Sequence, residues 1–248
     1  MTTGLSYNGS VAGTNSYVEQ LANLAVVKLN LSDPTDPFTI LIPQAITYAE
    51  NRIYRDLDFL STVSVNSTYS VSVANRNINV PASAFVTIQD VNLILPANTP
   101  TPDSGTRQPL LPTTKEYLNN VYPSAAGLAP PAYFAMIDQN KMIVGPWPDN
   151  TYTVEIVGTI RPDSLSATNT TTFISLYLPD LFLMASMIFV SGYQRNFGRQ
   201  SDDPAMAQSY ESQYKTLMTG ATMEEMRKKF QSSAWSSMSL PVVATPTR

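Results

Sequence analysis

Three carboxylates, Asp138, Asp149 and Glu155, lie close together along the chain. A pair of carboxylates flanking a glycosidic bond is the central equipment of a glycoside hydrolase. Tyr133, Trp147 and Tyr152 surround the same stretch and can form a platform on which a sugar ring stacks. A plainer reading competes. Turn Asp residues bond their own backbone, an exposed strand Glu such as Glu155 is merely solvated, and aromatics fill β-domain cores and subunit interfaces. Ser164 and Ser166 stand near Arg161 with no base to activate them. The chain has no histidine and no cysteine, which removes the Ser-His-Asp triad, thiolate nucleophiles, Cys-type zinc sites and disulfides. No glycine-rich phosphate loop is present. The plainer reading prevails, and no catalytic residue, cofactor or metal ligand is assigned.

A second group of residues suits binding. Arg227, Lys228 and Lys229 form the one marked basic cluster, followed by Phe230, Trp235, Met238 and Leu240. The cations suit docking on an acidic groove, closeness to DNA, or a solvated helix end favoured by the helix dipole. The large apolar residues sit on a segment with no core of its own, and such residues wait for a partner.

The 248 residues carry a net charge of −4, with 43% hydrophobic and 14% charged residues. That size accommodates one large domain or two small ones, and the charge provides no general footprint for nucleic acid. An acidic lining would repel DNA and let it pass. The opening MTTGLSYNGSVAG lacks the basic start and apolar run of a secretory signal. The most apolar stretch, 181–190, is too short to span a bilayer.

The elements that would carry these residues read as follows. Thr14 or Ser16 caps a helix running to Leu29 or Leu31. A second helix covers 43–60, with Pro43 in its first turn. From Val63 to Val80 the period becomes two, as in half-buried antiparallel strands, and 85–95 is extended. The stretch 97–112 reads as a long polar, proline-rich loop, either mobile or facing a partner. A short helix at 114–120, a hairpin turning at Gln139-Asn140 and a strand over 151–160 follow. Helices are expected over 179–194 and 202–229, with Gly220 as a kink or an end. The predicted fold is α+β, an antiparallel helical bundle (14–62 and 173–230) bearing an inserted β-rich domain (63–172) and an extended C-terminal arm (231–248).

The order of these pieces resembles the head-to-tail adaptor proteins of short-tailed bacteriophages, the tail tubular protein A type. The matching text is YAENRIYRDLDF (48–59), Val80-Pro81 with Phe85, PAYF (131–134), PDNTYTVEI (148–156), RPDSLS (161–166), LYLPDLFLMAS (176–186) and the later Tyr210 and Tyr214. It spans 41–220; the 97–112 stretch and the tail after Gly220 look longer than the pattern needs, and Val80-Pro81 replaces its usual Leu-Pro. The resemblance implies a non-enzymatic virion protein of the neck, assembled in the host cytoplasm as a dodecameric ring below the portal protein. The tail nozzle protein would sit on the opposite face, with DNA passing without sequence-specific binding and no membrane involved. It also implies that the C-terminal segment, with Arg227, Lys228, Lys229, Phe230, Trp235, Met238 and Leu240, reaches the portal. The alternative is a carbohydrate-binding or depolymerising tail component using the β-domain aromatics and carboxylates.

Overall fold

The computed structural model describes residues 4–196 and 204–243 apart from Pro34, Ala82 and Pro100, with backbone only at 193–196, 204–207 and 230–243. The chain is mixed α+β and divides into two compact units, Met1–Ser61 with Pro162–Arg248, and Thr62–Arg161.

The first unit opens with a short parallel strand pair, β1 (Leu5–Ser6) and β2 (Asn15–Ser16). Helix α1 (Tyr17–Leu24) starts where the Ser16 hydroxyl accepts the Glu19 N–H at 3.3 Å. It stops five residues before the expected Leu29, because Val26 takes a left-handed φ of 53°. There Val26 N–H bonds Asn23 O at 3.1 Å and Val27 N–H bonds Ala22 O at 3.0 Å, the pairing that usually has glycine at this position. Helix α2 (Pro37–Asp56) starts earlier than predicted. Asp36 Oδ2 accepts the Thr39 N–H at 2.9 Å and Pro37 takes the first turn. Pro43 therefore lies inside the helix, where it removes one backbone bond. Burial of Phe38, Leu41 and Ile42 around it offsets that loss.

The second unit contains β3 (Val63–Val71), β4 (Asn77–Asn79), β5 (Thr87–Leu95), β6 (Thr106–Pro109) and β7 (Leu111–Pro112). Helix α3 (Lys115–Val121), capped by Thr114, precedes β8 (Tyr133–Asp138), β9 (Lys141–Gly145) and β10 (Tyr152–Thr159). The strands make two four-stranded sheets, in the orders β3-β10-β5-β6 and β4-β9-β8-β7; all neighbours are antiparallel except β7 and β8. Both sheets feed one core: Val91, Leu93, Val154 and Ile156 from the first, Ile78, Met142 and Val144 from the second. Period two sends Ile143 and Ala135 to the other face of the second sheet, where Leu118 of α3 meets them. The stretch 97–112, expected as a loop, supplies β6 and β7. Its prolines Pro109 and Pro112 are tolerated because both strands lie at sheet edges.

The chain then returns to the first unit through 162–172, which the sequence reading had placed with the strands. Leu165 in this segment is buried with the helices. Thr172 and Ser175 cap α4 (Phe173–Tyr177) reciprocally, and α5 (Pro179–Asn196) and α6 (Pro204–Val243) follow. Helix α5 packs against α1, α2, α4 and α6. Tyr17 stacks on Phe182 at 4.7 Å between ring centroids, and the Tyr17 hydroxyl meets Ser186 Oγ at 2.6 Å. Helix α6 runs through Gly220 and on to Val243, so the backbone over 231–243, predicted as an extended arm, is helical. Glycine inside a helix costs about 1 kcal/mol, and no proline interrupts the run before Pro241. No helix among the described residues is long and apolar enough to cross a membrane.

Candidate functional site

The residues that suggested sugar chemistry are each engaged elsewhere. Asp138 accepts the Asn140 N–H at 2.7 Å, as a turn Asp does. Asp149 accepts the Tyr152 hydroxyl at 2.7 Å. Burial, with Asp149 beside it, pushes the Tyr152 phenol up to about 12. Glu155 is not the solvated strand residue expected. It is 3% exposed, and the Arg107 guanidinium of β6 reaches it through Nε at 2.9 and 3.0 Å. Sequence reading missed this because Arg107 lay in the presumed loop.

The aromatics are engaged as well. Tyr152 lies in the sandwich core, and Tyr133 meets Tyr117 edge-on at 5.9 Å. Trp147 donates Nε1–H to Tyr122 O at 3.0 Å beneath the Arg76 guanidinium, 4.8 Å from its ring. Ser166 Oγ accepts the Asn169 N–H at 3.0 Å. Among the described residues no cluster of three or more His, Cys, Asp or Glu could hold a metal ion.

Two buried glutamates have pKa values shifted in opposite directions. The Arg107 bond holds the Glu155 carboxyl below its ordinary 4.5, despite burial. Burial pushes the Glu50 carboxyl above 4.5, against the bonds from Leu165 N–H and Ser164. A depressed folded pKa contributes stability above the unfolded value that is lost as pH falls through the folded one. A raised folded pKa of an acid has the reverse sign, and its penalty grows as pH rises from the unfolded value to the folded one. Glu155→Gln should therefore lose stability at neutral pH and flatten the acid side of the stability curve. Glu50→Gln should melt closer to the parent protein at neutral pH than in acid. Melting temperature across the acidic range checks both, and parallel curves for the two variants would contradict the assignment.

The α6 surface is the remaining candidate. Its core-facing side carries Tyr214, Ala221 and Glu225. Tyr214 donates to Asp56 Oδ2 at 2.8 Å beneath the Arg52 guanidinium, which lies 4.3 Å from its ring. Arg52 also pairs with Glu211 at 2.7 Å. Of the predicted basic cluster, Lys228 binds Glu225 at 2.8 Å and Glu224 at 2.9 Å, and sits 5.3 Å from the Phe173 ring centroid. Lys229 pairs with Asp58. Arg227 is exposed. The side chains of Phe230, Trp235, Met238 and Leu240 lie outside the described residues. Two residues that sequence reading passed over, Met223 and Met226, are 53% and 61% exposed. At 100° per residue they fall on the side of α6 away from Tyr214 and Ala221. Their spacing, continued by Phe230, was the available signal. An open groove of about 680 Å³ also runs along α2, lined by Gln44, Thr47, Tyr48, Asn51, Arg55 and Phe189.

Compared with known proteins, the chain matches the SU10 adaptor protein family over residues 18–239. No curated protein matches it.

Proposed function

Because the chain belongs to the SU10 adaptor protein family, a family of bacteriophage adaptors whose members are virion components, we propose that it is the head-to-tail connector of a short-tailed phage. In this reading it forms a ring, dodecameric by its resemblance to the tail tubular protein A type, that joins the portal protein to the tail nozzle and continues the DNA channel. The observation that carries the proposal is the extent of the family match, which runs through the helical unit and the inserted sheets alike.

The protein acts by shape and interfaces and catalyses no reaction. The engaged states of Asp138, Asp149 and Glu155 support that reading over a depolymerase. The end of α6 is the portal-facing element, with Met223, Met226 and Arg227 presented to solvent. Lys228 and Lys229 contribute less than the sequence suggested, since both are paired within the chain. The net charge of −4 lets DNA pass without being gripped. Assembly takes place in the host cytoplasm.

The test is sizing of the purified protein alone and mixed with portal rings. The chain alone should behave as a monomer or weak oligomer, and the ring should form on the portal. Absence of any complex with the portal would overturn the connector role. A stable closed ring at micromolar concentration without portal would overturn portal-templated assembly.

A further inference from the structure

Val26 ends α1 with its left-handed φ of 53° and is 72% exposed. A β-branched side chain is strained in that conformation, whereas glycine adopts it freely. The fold therefore keeps a strained apolar residue at a place where the protomer barely buries it. Strain of this kind concentrates at sites of interaction. Three further apolar residues are exposed on the same connection: Leu24 at the end of α1, Leu31, and Ile40 in the first turn of α2. Thr39 Oγ1 donates to Asn30 O at 3.3 Å, which brings the neighbours of Leu31 and Ile40 together. Asp33 and Asp36 lie on this connection with one lysine, Lys28. Asp33 Oδ1 accepts the Thr35 N–H at 2.8 Å and the Thr35 hydroxyl at 2.6 Å. It pairs with no cation among the described residues.

The groove along α2 has the opposite charge. Tyr48 and Phe189 form its apolar part, their ring centroids 5.4 Å apart. Arg52 and Arg55 line it, and no described acid does. Arg52 is bonded to Glu211 and to the Tyr48 hydroxyl. Arg55 is exposed and pairs with no acid among the described residues. An apolar, acidic projection and an apolar, basic groove on one unit are complementary surfaces. Contact between two different surfaces of identical chains is heterologous, and it closes into a ring when the rotation allows. Building on the connector reading, we propose that the α1–α2 connection of one copy, led by Val26 and Asp33, docks in the α2 groove of the next copy beside Arg55.

The experiment uses the full chain, which has no native cysteine. A Val26→Cys chain is mixed with a Thr47→Cys chain, the second substituted at an exposed position of the groove. The mixture is oxidised at high protein concentration, with and without portal rings. Disulfide-linked dimers should join one chain of each kind, and a chain carrying both cysteines should give a ladder of higher oligomers. Val26→Gly relieves the strain, so it should melt no lower than the parent. Loss of the valine side chain from the contact should raise the protein concentration needed to fill a portal roughly tenfold. Arg55→Glu should weaken filling as well, and Asp33→Arg in the same chain should restore it. Three results would each overturn this contact and leave the connector reading standing. They are copies that fill the portal without forming mixed dimers, Val26→Cys chains linked to one another, and a Val26→Gly chain that fills the portal as the parent does. A parent chain that never loads on the portal would overturn the connector reading, and the mixed disulfide in solution would still decide the contact.

Discussion

A chain cut after Lys229 should melt nearly as the parent does and fail to attach to the portal, whereas a chain cut after Thr222 should be destabilised by about 2–4 kcal/mol. Residues 223–229 are tied into the helical unit. Glu225 is buried and holds the Leu60 amide, Lys228 covers Phe173, and Lys229 reaches Asp58. Removing residues 223–229 leaves the Leu60 N–H and the Phe173 face without these partners. The bond to buried Glu225 dominates the loss, and the exposed Lys229–Asp58 pair adds little. Residues beyond 229 include Phe230, Trp235, Met238 and Leu240, the aromatic and long apolar types that anchor interfaces. Burial of each on a partner is worth about 1.5–3 kcal/mol before ordering costs. Circular dichroism melts and co-sedimentation with portal rings read the two effects separately. Identical melts for the two cuts would place 223–229 outside the fold. Unchanged portal affinity after the Lys229 cut would remove the end of α6 from the interface.

Phe182→Ala should cost the helical unit about 3–5 kcal/mol, a large share of the roughly 5–15 kcal/mol typical of a folded domain. Phe182 has no exposed surface, stacks on Tyr17 and sits on the helix that contacts every other helix of its unit. Its removal leaves a cavity beside the Tyr17 ring of α1. Tyr17→Phe should cost only about 1 kcal/mol, because Ser186 keeps its bond to Phe182 O at 2.8 Å. The strands have a core of their own, so calorimetry of Phe182→Ala should show the helical transition lowered and a strand transition persisting. A single transition displaced as a whole would mean that the two units melt together.

The parts of the fold that were legible in the sequence are those where one local signal acts alone. Thr114 caps α3, Gln139-Asn140 turns the β8–β9 hairpin, and Pro179 opens α5. Misreadings arose where two signals competed. Pro43 looked like a helix start and obscured the Asp36-Pro37 cap six residues earlier. Val26 ends α1 in a conformation that normally advertises itself with glycine. Four prolines in 97–112 masked β6, whose strand character comes from pairing with β5 and from the Arg107–Glu155 bond. The basic run was legible, and the pairing of its two lysines within the chain was not. The partner of Lys229 lies 171 residues away in sequence, and no local pattern reveals it. The buried role of Glu225 was equally hidden within a charged run.

The connector reading is tested most directly by a reconstruction of the virion neck. It predicts a closed ring of copies of this chain between portal and nozzle, encircling the DNA channel, with the ends of α6 on the portal side. A neck that lacks this chain, or copies of it found only on peripheral tail appendages, would contradict the account.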